Sequence, residues 1–182
     1  MKKLIATMLV AVVALIGSYQ AKAIEDPFAK GTVIAGAHFS VLPGIGTTVY
    51  GDYVLVDSWW KGHFSVGAEF GYTRKGYYDV DVDIDDLFNI DVKTEKIKAN
   101  EFAALARANY GLNITDSFEV HAGFLLGMGI TPNSPYYDND CHFAIGGTMG
   151  IRYFFTDFLA GSFEMQYTGY SPILNLGVAF KF

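Results

Sequence analysis

The stretch Tyr77–Val92 reads YYDVDVDIDDLFNIDV and carries six aspartates. Carboxylate oxygens are ligands that Ca²⁺ prefers, so the run is a candidate cation site. An EF-hand loop beginning at Asp81 requires Gly at its sixth position and Glu at its twelfth, where this chain has Asp86 and Val92. The EF-hand motif therefore fails. Two hypotheses remain, a solvated acidic loop or a weak Ca²⁺ site formed by Asp79, Asp81, Asp83, Asp85 and Asp86.

The aspartates also alternate with apolar residues. Val80, Val82 and Ile84 fall on one face of an extended chain, and the aspartates between them fall on the other. The apolar residues of this stretch have the same parity as those of the preceding segment, His63–Tyr72. This shared parity favours a strand that continues from that segment into the acidic stretch. We expect the stretch to be solvated.

Nucleophilic catalysis needs a nucleophile and a base within hydrogen-bonding reach. His38 and Ser40 share one face of an alternating segment, and the chain has no G-x-S-x-G elbow. A second cluster of candidate residues comprises Asp138, Asp140, Cys141 and His142. The Cys141–His142 pair lacks the second Cys or His pair that a zinc site requires. We therefore predict no catalytic residue and no cofactor, and no metal site beyond the weak calcium candidate.

The elements that would position these residues are strands with one apolar face. In the last segment, Leu174, Leu176, Val178, Phe180 and Phe182 share one face, and small or polar residues share the other. The same alternation recurs in seven earlier segments: Thr32–Ser40, Thr47–Val56, His63–Tyr72, Glu101–Tyr110, Phe118–Met128, Phe143–Tyr153 and Leu159–Tyr167. Segments of about ten residues suit tilted strands that cross a membrane.

The polar faces of these segments are rich in Gly, Ala and Ser and carry single charges, whereas the polar faces of a soluble sandwich carry many Lys, Thr and Glu. Small residues suit a crowded interior, and the long apolar faces suit a lipid solvent. The pattern predicts an all-β, eight-stranded, antiparallel, up-and-down transmembrane barrel. Its predicted lumen charges are Asp52, Glu69, Glu101, Arg107, Glu119, Arg152, Glu164 and Lys181. We expect them to form an internal ion-pair network, with a narrow conduction path as the alternative.

The N-terminal residues are typical of an export signal. Lys2 and Lys3 precede an apolar run, and Ala21-Lys22-Ala23 matches a signal-peptidase site. We predict a signal peptide over residues 1–23 and a barrel domain over residues 24–182, with an uncleaved signal anchor as the alternative. Cleavage removes three of the 13 basic residues, leaving ten against 19 acidic. This balance argues against nucleic acid as a partner. The single cysteine, Cys141, excludes an internal disulfide.

The connections between segments alternate in length. The longer ones are Leu42–Gly46, Arg74–Ile97 and Ile130–Cys141, and shorter polar turns such as Asn113–Ser117 separate them. Aromatic residues gather near both ends of the segments, where amphipathic rings favour headgroup depth. Trp59, Trp60, Tyr110, Phe118, Tyr153 and Phe155 mark one end, and Tyr72, Tyr136, Tyr137, Tyr167 and Tyr170 mark the other.

With its signal peptide, eight amphipathic segments and terminal LNLGVAFKF, the chain resembles the small outer-membrane β-barrel family of the OmpA-barrel and OmpX kind. The resemblance covers residues 24–182. It implies a monomer in the outer membrane of a Gram-negative bacterium, with outer-membrane lipid and lipopolysaccharide as surroundings. It also implies that Phe180 and Phe182 belong to a C-terminal signal read by the barrel-assembly machinery.

Members of this family serve as anchors, adhesins and enzymes, so the resemblance implies architecture more strongly than activity. We expect a structural or surface-interaction role in which the barrel presents acidic, tyrosine-rich extracellular loops. A cation bound by the aspartates would bridge to lipopolysaccharide phosphates. The alternatives are an enzyme that modifies lipid A and, less favoured, a narrow channel for small solutes.

Overall fold

The structure is a computed structural model that describes residues 28–42, 44–60, 62–84, 90–132, 140–169 and 173–182. The predicted signal peptide, residues 1–23, lies outside the described residues, as do Tyr136, Tyr137, Asp138 and Tyr170. Within the described part of the chain, no helix is long and apolar enough to cross a membrane.

Eight strands form one closed barrel in which each strand pairs with its neighbours in chain order. All eight pairings are antiparallel, including the pairing of the first strand with the last. The predicted eight-stranded, antiparallel, up-and-down barrel is therefore confirmed. The strands are β1 (Val33–Val41), β2 (Ile45–Trp59), β3 (Gly62–Ile84), β4 (Ile90–Thr115), β5 (Phe118–Thr131), β6 (Asp140–Phe154), β7 (Leu159–Tyr167) and β8 (Leu174–Lys181).

Closure of the barrel rests on the pairing of β1 with β8. Ile34 lies opposite Lys181, and the register continues to Val41 opposite Leu174. Beyond the last pair, Val33 and Phe182 exchange two backbone hydrogen bonds of 2.9 Å. A closed sheet has no unpaired edge, so the backbone groups within the barrel wall are satisfied by their neighbours.

The pair β3–β4 is much longer than predicted. These strands have 23 and 26 residues, whereas the alternation predicted about ten. Most of the predicted connection Arg74–Ile97 is paired strand, from Lys75 opposite Ala99 to Ile84 opposite Ile90. The expectation of a loop was wrong here because the Val–Asp alternation continues the strand pattern, as the shared parity had indicated. We call residues 75–84 and 90–99 the projecting hairpin.

The two faces of each strand differ as predicted. On β7, Phe163 and Met165 lie on the outer wall, whereas Ser162 and Glu164 are buried in the lumen. Large apolar side chains are exposed around the whole outer wall, including Phe70, Phe124, Phe143, Ile145 and Leu176. The inward face is mostly polar, with an apolar cluster of Ala103, Leu105, Leu125 and Ala144 on one side.

One inward aromatic ring depends on a glycine. Tyr50 on β2 lies opposite Gly36 on β1, and a Cβ placed on Gly36 would lie 2.5 Å from the tyrosine ring. The missing side chain therefore provides the space in which the ring of Tyr50 lies flat across the neighbouring strand. This placement holds Tyr50 against the charged residues at the centre of the lumen.

Candidate functional site: the charged lumen

Six consecutive strands each contribute one charged side chain to the middle of the lumen. Each side chain is at most 2% exposed, since the alternation turns it inward and the closed wall excludes solvent. We call these residues the central network: Asp52 (β2), Glu69 (β3), Arg107 (β4), Glu119 (β5), Arg152 (β6) and Glu164 (β7). All six belong to the set of lumen charges predicted from the sequence.

Arg107 is the centre of the first half of the network. Its Nη1 and Nη2 atoms donate to both carboxylate oxygens of Glu164, at 3.0 and 2.8 Å. Its Nε donates to Asp52 Oδ1 at 3.2 Å, and its Nη1 also donates to Glu69. One guanidinium therefore joins carboxylates from three other strands, a geometry that its planar fork of donors allows.

Arg152 is the centre of the second half. Its Nη1 donates to the two oxygens of Glu119, at 3.0 and 3.2 Å, and its Nη2 donates to Asp52 Oδ2 at 3.3 Å. Because Asp52 accepts from both arginines, it connects the two halves. The ring of Tyr50 lies 4.5 Å from the guanidinium carbon of Arg107 and 5.4 Å from that of Arg152, within the range of cation–π attraction.

Uncharged and histidine side chains complete the network, and the sequence analysis did not include them. His121 Nε2 lies 3.1 Å from Glu164 Oε2, and His63 Nε2 lies 3.6 Å from Glu119 Oε1. Gln166 Nε2 donates to Glu69 at 2.8 Å, and Asn109 Nδ2 donates to Asp52 at 3.2 Å. The sequence feature that could have identified these residues is their position on the same strand faces as the predicted charges.

Two of the predicted lumen charges lie apart from the central network. Glu101 lies near the end of the barrel that carries the projecting hairpin, where it pairs with Lys75 at 2.5 Å. Lys75 also donates to the backbone oxygen of Gly169 at 3.3 Å, and so connects β3 to the segment after β7. The sequence analysis did not assign Lys75 to the lumen, although it has the inward parity of Glu69.

The other predicted charge, Lys181, lies at the opposite end of the barrel. Its ammonium group is 4.6 Å from the ring centroid of Phe154 and 5.3 Å from that of Phe28. Phe28 precedes β1 and enters the barrel end, where its ring stacks on His63 at 4.3 Å. The chain then turns at Ala29–Thr32, with Gly31 at a φ of 97°. Phe28, His63, Phe154 and Lys181 together cap this end of the lumen.

The candidate catalytic residues lie in the lumen or on the rim. His38 and Ser40 are buried, and His38 Nε2 is 3.0 Å from Ser162 Oγ, while Ser40 donates to Asn175 Oδ1 at 2.5 Å. They therefore belong to the lumen packing and do not face the outside of the wall. Asp140, Cys141 and His142 begin β6, and Cys141 is exposed.

The aspartate run begins within the projecting hairpin. In the backbone register, Asp79 lies opposite Glu95, Asp81 opposite Lys93 and Asp83 opposite Asp91. Asp85 and Asp86 lie outside the described residues, and the structure describes no side chain in the run. Among the side chains that it does describe, no group of three His, Cys, Asp or Glu could hold a metal ion. The calcium site stays a prediction.

The predicted aromatic clusters and C-terminal residues have defined places. Trp59 and Tyr110 make an edge-on contact at 5.9 Å near the barrel end that carries Phe28 and Phe182, as do Tyr153 and Phe155 at 5.3 Å. Phe180 pairs in register with Ala35 and Leu159, and Phe182 hydrogen-bonds to Val33. The role of Phe180 and Phe182 in assembly stays a prediction.

The sequence matches no protein-family model and no curated protein. Among solved structures, it is similar to the outer membrane protein Ail of Yersinia pestis in a phospholipid bilayer nanodisc, with 13% identity, 83% of this chain and 97% of that chain covered and a TM-score of 0.48. It is also similar to the N-terminal β-barrel domain of Pseudomonas aeruginosa OprF, with 18% identity, 84% and 98% coverage and a TM-score of 0.48. With TM-scores below 0.5 these likenesses carry no argument, and the fold is given by the strand pairing of the barrel itself.

Proposed function

We propose that this chain is an integral outer-membrane barrel with a closed lumen, whose role is to hold the projecting hairpin at the cell surface. The observation that carries the proposal is the distribution of side chains across the wall. Charged groups such as Arg107 and Glu164 are buried inside, whereas Phe124 and Tyr167 are more than 70% exposed outside. Water is a poor solvent for such a wall, and a bilayer is a good one.

The lengths of the connections support one orientation in the membrane. Phe28 and Phe182, the first and last described residues, lie at one end of the barrel, where short turns join β2 to β3, β4 to β5 and β6 to β7. The opposite end carries the projecting hairpin and the longer connection between β5 and β6, together with the shorter connections between β1 and β2 and between β7 and β8. In bacterial outer-membrane barrels, short turns face the periplasm and longer loops face the outside. The hairpin would therefore project from the cell.

A structural role suits this lumen better than conduction. An eight-stranded barrel has an interior just wide enough for its own side chains. Here Arg107, Arg152 and Tyr50 meet in the middle, and Lys75 and Phe28 lie toward the two ends. No separate observation favours a lipid-modifying enzyme, since His38 and Ser40 point into the lumen.

The hairpin is the feature that this barrel would present. Ten residues of β3, from Lys75 to Ile84, extend past the last pair between β2 and β3, which is Ile45 with Arg74. At about 3.3 Å per residue, the hairpin is roughly 30 Å long. Residues 75–99, which include the segment between the two strands, hold seven acidic and four basic residues, a balance that would favour basic partners.

Heat-modifiability tests the membrane part of this proposal. The purified chain, folded in detergent, should migrate differently on a denaturing gel before and after boiling, because a closed barrel resists the detergent until heated. The same chain should precipitate when the detergent is removed. A chain that stays monomeric and soluble without detergent would contradict the proposal.

Protease protection tests the surface part. In proteoliposomes with the hairpin outside, trypsin should cut at Lys93 or Lys96 and leave the barrel intact. Planar-bilayer recordings of the same protein should show no steady conductance. Protection of both lysines from trypsin when the hairpin is outside, or stable open channels, would contradict a closed barrel that presents this hairpin.

A further inference from the structure

At the base of the projecting hairpin, the charged side chains described on the outward faces of β3 and β4 are all basic. Arg74 and Lys98 are exposed on the outward face, in line with the lipid-facing Tyr72 and Phe102. On the inward face, Lys75 and Glu101 form an ion pair in the lumen.

The height of these basic residues on the wall is fixed by the aromatic residues below them. The rings of Tyr72 and Phe102 lie 5.2 Å apart, and the hydroxyl of Tyr72 donates to Asn100 Oδ1 at 2.9 Å. Arg74 lies opposite Asn100, and Lys98 lies opposite Gly76, so they occupy the next outward rungs. Two residues along a strand span about 7 Å, which is the step from an aromatic girdle into the headgroup layer.

The two exposed cations have no counter-charge among the side chains that the structure describes. Neither Arg74 nor Lys98 makes an ion pair with any residue whose side chain the structure describes. The neighbouring Lys75 differs, since it has the inward parity and pairs with Glu101 in the lumen. A fixed pair of unneutralised cations at one height favours an external anion.

We propose that Arg74 and Lys98 form a binding band for the phosphate groups of an anionic lipid in the outer leaflet. The inference rests on the proposed function, which places this end of the barrel at the outer surface. Arginine binds phosphate through a planar fork of donors and lysine through a compact charge, so the set suits a phosphorylated headgroup.

A lipid suits this band better than a soluble polyanion. The cations lie on the face that continues the lipid-exposed wall, directly beside Tyr72 and Phe102. A polyanion that approached from solution would also meet the aspartates of the hairpin, and the chain as a whole carries a net charge of −6. A lipid phosphate, in contrast, is held at headgroup depth by its own acyl chains, which lie against the apolar wall below.

The test compares lipids retained by the protein in nanodiscs that contain phosphatidylcholine and a minor fraction of phosphorylated lipid A. After release, native mass spectrometry counts the lipid A molecules bound to each barrel. The test variant carries Arg74→Gln and Lys98→Gln. The control is Lys30→Gln, which removes an exposed lysine near the chain ends, at the opposite end of the barrel. All three proteins are first checked for heat-modifiability, so a failure to form a barrel is recorded separately and counts against the proposed function.

Each cation near an anionic surface changes affinity by about fivefold, so the double variant should lose lipid A binding by roughly 25-fold, while Lys30→Gln retains it. Equal binding by the wild type and the double variant would overturn the inference, as would an equal loss in Lys30→Gln. A third arm adds soluble pyrophosphate to wild-type protein in pure phosphatidylcholine. Pyrophosphate binding as tight as that of lipid A would also overturn it, because the band would then be a site for soluble anions.

Discussion

In β5, Leu125 is fully buried in the lumen, whereas the adjacent Phe124 is 77% exposed on the outer wall. The same contrast runs around the barrel. Inside, charged groups pair with one another across six strands, and outside, large apolar side chains such as Phe124 and Phe143 are mostly exposed. One alternating strand thus meets two environments, which in the proposed setting are a polar lumen and the lipid acyl chains.

Stability has a different origin on each side of the wall. A buried charge is costly unless it is paired, so the lumen depends on complete pairing. The wall needs no specific partner, because any acyl chain covers an apolar side chain. Loss of one partner in the lumen should therefore cost more than loss of one apolar contact outside.

The largest effect is expected from Arg107→Met. The variant leaves Asp52, Glu69 and Glu164 without their shared cation, and removal of one partner from a buried pair costs about 3–5 kcal/mol. Urea unfolding in lipid vesicles, followed by the fluorescence of Trp59 and Trp60, measures this change. The control Lys30→Met removes an exposed charge and should be near neutral. Equal stability of the two variants would show that the central network does not hold the strands together.

The outer wall is tested by Phe124→Lys, which places a charge midway along β5 on the exposed face. A lysine at the bilayer midplane costs about 2–4 kcal/mol, and near an interface it costs about 0–1 kcal/mol. Phe155→Lys, at the turn after β6, is the matched control at the interface. The same vesicle experiment measures both variants. If Phe124→Lys were as mild as Phe155→Lys, the middle of the wall would not face lipid.

A smaller effect is expected where the lumen is crowded. In Gly36→Ala the new methyl group would lie 2.5 Å from the ring of Tyr50 and would displace it from the arginines. Overpacking of this kind costs about 1–3 kcal/mol. Gly51→Ala is the control, because its methyl group would meet no atom within 4 Å. A stability for Gly36→Ala equal to that of the control would mean that the position of Tyr50 is unimportant.

The smallest effect is expected at the outer rim. Tyr72→Phe removes an exposed hydrogen bond of 2.9 Å to Asn100 and keeps the ring that contacts Phe102. We expect a loss of about 0.5 kcal/mol or less in urea unfolding, since water replaces an exposed partner. A loss above that of Gly36→Ala would reverse the order proposed for the lumen and the rim.

The faces of the strands could be predicted from the sequence because an extended chain alternates strictly. Phe163 and Glu164 are assigned to opposite sides by parity alone, and the structure places them so. The partners of each charge could not be predicted in this way. Glu101 and Arg107 share a strand and a face, yet Glu101 pairs with Lys75 and Arg107 with Glu164. The height of a side chain in the lumen depends on the register of every strand pair. Parity shows which face a side chain is on, but it does not give that register.

Two further features lay beyond the alternation. Phe28 precedes β1 and reaches the lumen through the turn at Ala29–Thr32, so no strand pattern applies to it. The length of the projecting hairpin was underestimated, because the predicted length of each strand was taken from the thickness of a membrane. The pairing of β3 with β4 continues beyond that length. His63 and His121 differ, because their inward parity was visible in the sequence although the predicted charge network comprised only Asp, Glu, Arg and Lys side chains.

In the proposed setting the wall faces lipid and the lumen does not. Leu125 and Leu126 test it without any substitution, because they are adjacent and lie on opposite sides of β5. In nanodiscs with isotope-labelled leucine, nuclear Overhauser spectra report contacts between leucine methyl groups and acyl chains. We predict strong cross-peaks from Leu126 to the acyl chains and none from Leu125. Acyl contacts from Leu125, or contacts from Leu126 to water alone, would contradict the account.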